Sequence, residues 1–222
     1  MIYLALLMSV LLGFASATLL KHRLKNSMPL LLAFSGAFLL AVTVFEMLPE
    51  VFEHYNKRFG LFIMLGLLLQ IFLDFFSKGA EHGHVHSHEK QVKFPWLIFL
   101  SLSIHAFLEG IPVQGHNGVF YGILIHKIPI AMILTLFLID GQLSKSKIAL
   151  FLISFALMTP LGAFAANQFS FFDTYKPEID AVVIGVFLHV STTILFESSK
   201  DHKFNLAKLL TILLGTALAY FI

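Results

Sequence analysis

Two histidines, a glutamate and a lysine stand inside stretches of this 222-residue chain that are otherwise apolar. His105 and Glu109 fall in an apolar run at about 95–114 and are four residues apart, so a helix puts them on one face. His126 and Lys127 fall in the next run, about 119–139, after the short turn Gly115-His116-Asn117-Gly118. Helices joined so tightly are antiparallel neighbours. His105 lies about 10 residues before the turn and His126 about 8 after it, and a rise of about 1.5 Å per residue brings them to similar depth. Two imidazoles and a carboxylate at one level suit a divalent transition metal. Imidazole fits zinc, iron, nickel and copper, and a carboxylate is compatible with zinc, iron and manganese. The same residues would also serve as a His–Glu–His–Lys hydrogen-bond network between helices with no metal. Pro112 and Pro129 are expected to interrupt the two helices, releasing carbonyls that need partners.

The elements that must hold these residues are membrane spans. The chain is 58% hydrophobic and 13% charged, with a mean hydropathy of +0.85. Soluble domains run near 45–50% apolar and about 25% charged. Disorder is excluded by the same figures. A net charge of +2 with no basic stripe excludes nucleic-acid binding. No nucleotide-binding motif is present. With no cysteine, disulfides, thiolate metal sites and thiol catalysis are excluded. Eight apolar runs appear, at about 2–20, 28–49, 60–77, 95–114, 119–139, 147–167, 179–197 and 204–222. The first starts without a basic n-region and is read as a span rather than a cleaved signal. The expectation is an all-α polytopic membrane protein with a single transmembrane domain over residues 1–222 and a polar loop at about 78–94.

Orientation follows from the basic residues in the loops. Loops one-two, three-four, five-six and seven-eight hold eleven (Lys21, Arg23, Lys25, Lys78, Lys90, Lys93, Lys145, Lys147, Lys200, Lys203, Lys208), against Lys57, Arg58 and Lys176 in loops two-three and six-seven. Both termini are therefore expected outside, with the loop at about 78–94 cytoplasmic. An internal repeat is also visible. Gly36-Ala37-Phe38-Leu39-Leu40-Ala41-Val42-Thr43 in the second span resembles Gly185-Val186-Phe187-Leu188-His189-Val190-Ser191-Thr192 in the seventh, which runs the opposite way. This suggests an inverted repeat of spans one to three and six to eight around spans four and five.

His105-Ala106-Phe107-Leu108-Glu109-Gly110 followed by His126-Lys127-Ile128-Pro129 resembles the paired signatures of the ZIP (Zrt/Irt-like) metal transporters, H-N-x-x-E/D-G and H-E/D-I-P-x-E. Phe45-Glu46-Met47-Leu48-Pro49-Glu50 is similar to that family's L-H-L-L-P-E ending of the second span. Thr159-Pro160-Leu161-Gly162-Ala163 is similar to its E-P-L-G motif. The resemblance implies movement of a divalent metal, zinc first and iron second, into the cytoplasm across the plasma (inner) membrane. It implies no cofactor beyond the transported ion, and a homodimer as family habit. It also implies a first metal site at His105, Glu109 and His126. The family's second site would use positions that here are Ala106, Lys127, Ile130 and Thr159, so that site has lost its own ligands. Lys127 is expected either to stand in for the second cation beside Glu109 or to block transport by opposing a dication.

Other residues are placed around that core. His82, His84, His86 and His88 alternate in the polar loop and would capture metal exchangeably. Glu46, Glu50, Glu53 and His54 cluster at the outer end of the second span and would concentrate cations or simply solvate a helix end. His189 is either a pathway ligand or a packing hydrogen bond. Asp74 is placed at the inner exit. Gly13, Gly36 and Gly162 allow close helix approach. A carrier is preferred to a non-transporting metal sensor. An intramembrane metal hydrolase ranks last, since H-E-x-x-H is absent and an uncommitted carboxylate base is hard to find. No enzyme activity is expected.

Overall fold

The computed structural model describes residues 1–53, 56–79, 94–115, 117–197 and 206–222, and every regular element among them is helical. The order is α1 (Ile2–Leu19), α2 (Lys21–Val42), a π-helical turn (Thr43–Met47) running into α3 (Leu48–Phe52), and α4 (Lys57–Ser77). Then come α5 (Trp96–Gly110) with a 3-10 turn (Ile111–Gln114), α6 (Asn117–Asp140) and α7 (Lys145–Gln168). The short α8 (Ser170–Thr174), α9 (Lys176–Glu197) and α10 (Leu206–Tyr220) complete it. Among the described residues, seven stretches are long and apolar enough to cross a membrane: the segments built on α1, α2–α3, α4, α5, α6, α7 and α9. The eighth expected span corresponds to α10, an apolar helix of 15 residues among those described. The chain is a polytopic membrane protein. Helices suit this setting because each satisfies its backbone hydrogen bonds internally, where lipid offers no partner.

Two local features differ from the sequence reading. The basic cluster at 21–25 belongs to α2 rather than to a loop; Lys, Arg and Leu are good helix formers, and only Leu20 separates α1 from α2. Pro129 does not interrupt its helix: α6 runs unbroken from Asn117 to Asp140. It is the most enclosed of the candidate spans, and packing on all sides holds the helix across the missing hydrogen bond. Pro112 does end its α-helix, in the 3-10 turn.

The most extensive helix partnerships are α4 with α9, α1 with α6, α2 with α10, and α5 with α7. Exchanging span one with six, two with seven, three with eight and four with five maps this set onto itself. The α1–α6 pair becomes α7–α5, and α4–α9 becomes α10–α2. This is the pattern of an inverted repeat. The same helices sort into two bundles: α1, α5, α6 and α7 in one, α2, α4, α9 and α10 in the other. They meet mainly where α2 packs on α6 and α4 on α5.

Backbone-to-backbone approach makes these pairs tight. A Cβ on Gly162 of α7 would strike the Phe107 carbonyl of α5, and one on Gly110 of α5 would strike the Thr159 carbonyl of α7. Gly66 of α4 and Gly185 of α9 meet in the same reciprocal way, through the Val182 and Ile63 carbonyls. Between these seams the cores fill with large side chains such as Phe38, Phe151, Phe155 and Phe187, while Phe72, Phe75, Phe164 and Phe171 point outward, where lipid would lie. Gly162→Ala is expected to cost about 1–3 kcal/mol by forcing α5 and α7 apart. Gly60→Ala, which meets nothing within 4 Å, is expected to be neutral or slightly stabilising; thermal melts of the two variants in detergent compare them directly.

Candidate metal centre

Helix α5 carries His105 and Glu109 on one face, and α6 returns antiparallel with His126 and Lys127. All four are buried, with relative exposures of 3%, 1%, 2% and 1%. The His105 and His126 rings stand 6.3 Å apart, centre to centre, at 78° to one another. One ligand atom each from His105, Glu109 and His126 lies within 4.8 Å of the other two. His105 Nε2 is 3.2 Å from Glu109 Oε2. The three residues expected at similar depth on either side of the short turn converge here. Two nitrogens and a carboxylate oxygen, converging in a water-poor interior, form a donor set that suits a divalent transition-metal ion.

The other carboxylate oxygen has different company. Lys127 Nζ forms an ion pair with Glu109 Oε1. Thr159 Oγ1, from α7, donates to the Ala106 carbonyl at 2.8 Å and lies 3.3 Å from the same Oε1. The Lys127 ammonium also sits 4.6 Å from the centre of the Phe155 ring, whose π face favours a cation. Ala106 and Ile130 are buried in the apolar core of this bundle. The four positions where the sequence reading places lost second-site ligands are therefore occupied by a lysine and a threonine turned to Glu109, and by two apolar side chains. Pro129 carries no N–H, so the Ile125 carbonyl, one residue before His126, has no helical i+4 donor.

One contributor comes from the other bundle. Gln70 of α4 is fully buried, and its Oε1 lies 3.1 Å from His105 Nδ1. The sequence reading missed Gln70 because it followed charges and histidines. The available signal was a lone amide within Leu67-Leu68-Leu69-Gln70-Ile71-Phe72, since any polar group at membrane depth asks for a partner. Asp180 on α9 was missed as well; it is buried and pairs with Lys176 at 2.7 Å.

The remaining expected residues lie away from the centre. Glu50 is exposed and ion-paired with Lys176 at 2.7 Å, so one basic side chain bridges Glu50 and Asp180. Glu46 falls in the π-helical turn, and its carboxylate packs against Gly118 in the first turn of α6. Asp74 is half-buried one turn beyond Gln70, with Ser77 Oγ 3.3 Å from its Oδ1. His189 is half-buried in α9, outside the three-residue cluster. His54 and the loop histidines His82, His84, His86 and His88 lie outside the described residues.

A family model described as ZIP zinc transporter matches residues 78–222, which include both helices of the centre. This chain belongs to the ZIP zinc transporter family. The zebrafish (Danio rerio) protein zinc transporter ZIP1 is 32% identical over 89 residues, 37% of this chain and 30% of that protein. The match thus spans under a third of that relative's length. Residues 1–77 of this ZIP protein, with Gln70, lie outside the family match.

The Glu109–Lys127 pair should behave as one unit. Removing one partner of a buried ion pair costs about 3–5 kcal/mol, because the other charge is left uncompensated. Glu109→Gln and Lys127→Met are each expected to lower the melting temperature sharply. The double variant is expected to recover much of the loss in a double-mutant cycle of melts in detergent.

Proposed function

We propose that this ZIP protein carries a divalent transition-metal cation, zinc first and iron second, across the membrane into the cytoplasm through a mononuclear centre of His105, Glu109 and His126. The observation that carries the reading is the convergence of these three buried side chains within 4.8 Å, on two antiparallel helices inside the family match. His105, Glu109 and His126 offer only nitrogen and oxygen donors. That set binds zinc and ferrous iron without the grip of thiolate, which suits an ion that must also leave.

Lys127 takes the part of a second, tethered cation. Without metal, Glu109 and Lys127 cancel, so the empty centre is close to neutral in the apolar bundle. A metal ion approaching Oε2 meets the carboxylate at short range and the ammonium farther off. At an effective dielectric of about 20, a dication gains about 11 kcal/mol from a carboxylate roughly 3 Å away and loses about 7 kcal/mol to an ammonium roughly 5 Å away. The carboxylate's pull exceeds the ammonium's push, and the ammonium weakens the hold and so assists release. The same cation motivates a second reading, a metal sensor that binds without transporting.

The loop bias of lysine and arginine supports termini outside and His82, His84, His86 and His88 on the cytoplasmic side, where they would accept the released ion. For the outer end we infer a mouth at Glu46, Glu50 and Asp180, with Lys176 partly neutralising it.

Uptake of zinc and iron into proteoliposomes tests the reading. His105→Ala is expected to abolish uptake. Lys127→Met is expected to keep zinc binding but change the uptake rate, and zinc is expected to raise its melting temperature more than that of the wild type, because the ion supplies the missing counter-charge. Bound metal with no uptake would favour the sensor. Unchanged uptake in Lys127→Met would contradict the tethered-cation role.

A further inference from the structure

Gln70 sits on the bundle that does not hold the metal centre, yet it touches a ligand. Its amide oxygen is 3.1 Å from His105 Nδ1. An amide oxygen only accepts, so Nδ1 must be the ring nitrogen that carries the donated proton. Nε2 is then the nitrogen directed into the centre, and it is the one that lies 3.2 Å from Glu109 Oε2. We propose that Gln70 is a positioning residue: it fixes the tautomer and ring direction of His105, and so makes His105 a competent metal ligand while α4 and α5 stand in their present register. This rests on the reading of His105, Glu109 and His126 as the metal centre.

Two physical facts support the assignment. A metal-bound histidine almost always donates its other N–H to an acceptor that sets the tautomer and raises ligand basicity. Gln70 supplies that acceptor in a fully buried position. Gln70 is also anchored to its own bundle. Gly66, one turn earlier on α4, makes the close backbone contact with Val182 of α9 described above. The amide oxygen therefore travels with α4 and α9, whereas His105 travels with α5 and α7. A displacement of one helical turn, about 5.4 Å, would separate the pair. Metal affinity at His105 is thereby tied to the relative position of the two bundles.

The test uses the full chain in detergent or nanodiscs. Zinc affinity is measured by competition with a chromophoric chelator for wild type, His105→Ala, Gln70→Met and Gln70→Glu. Met keeps the length of the side chain but removes the acceptor; Glu keeps the acceptor. Gln70→Met is expected to bind zinc about 10-fold more weakly, and Gln70→Glu to stay within about 3-fold of wild type. Nitrogen-15 spectra of the zinc-loaded, histidine-labelled wild type are expected to give His105 a protonated Nδ1 and a metal-bound Nε2. This second readout decides the matter even if Gln70→Met does not fold. Weaker binding in His105→Ala together with wild-type affinity in Gln70→Met would overturn the role of Gln70 alone, as would coordination through Nδ1. Wild-type affinity in His105→Ala would overturn the metal centre itself, and this proposal with it.

Discussion

A carboxylate inside a lipid-embedded helical bundle must be paired, and most of this structure can be understood from how Glu109 meets that demand. An isolated charge at that depth costs several kcal/mol and would otherwise draw in water or a proton. Glu109 turns its two oxygens to different surroundings, and among the described residues only Oε1 has a hydrogen-bonding partner. Oε1 faces Lys127 and the Thr159 hydroxyl, and Oε2 faces His105. One side is thus committed to a permanent cation. The other is turned to the imidazoles of the candidate metal centre. The division depends on residue types that the family signature lacks at these places, a lysine for an acid and a threonine for a glutamate.

Holding that arrangement requires helices at very short range. Thr159 reaches Glu109 only because α7 lies against α5 with Gly162 under the Phe107 carbonyl and Gly110 under that of Thr159. The glycine that lets the backbones touch is three residues from the threonine that touches the acid. The second bundle repeats this device at Gly66 and Gly185, and so delivers Gln70 to His105. The centre therefore lies in one bundle at its seam with the other, and one of its contacts crosses between them. A site fully inside one bundle would be insensitive to their relative position, and a site wholly between them would lose its shape whenever they moved.

Much of this could be read from the sequence, for identifiable reasons. His105 and Glu109 follow from an i, i+4 spacing, and His126 follows from counting rise on both sides of a short turn; both arguments are local. The repeat also showed, because Gly36 and Gly185 begin similar segments. What escaped was set by partners distant in the chain. Gln70 is 35 positions from His105, and Glu50 is 126 from Lys176. Gln70 is uncharged, and its value lies in an acceptor oxygen whose partner only the packing of α4 on α5 supplies. The acids at the end of the second span read as an open cluster, whereas one of them, Glu50, is paired with Lys176. Pro129 misled for the opposite reason: a local rule predicts a break, and the enclosure of α6 overrides it.

The mononuclear centre with Lys127 as its fixed second cation is tested most directly by anomalous diffraction from crystals of the zinc-loaded protein. One zinc peak is expected among His105, Glu109 and His126, with the Lys127 ammonium still beside Glu109 Oε1. A second peak on the Lys127 side of Glu109, with the lysine displaced, would contradict it, as would no peak at these three residues in protein that carries zinc.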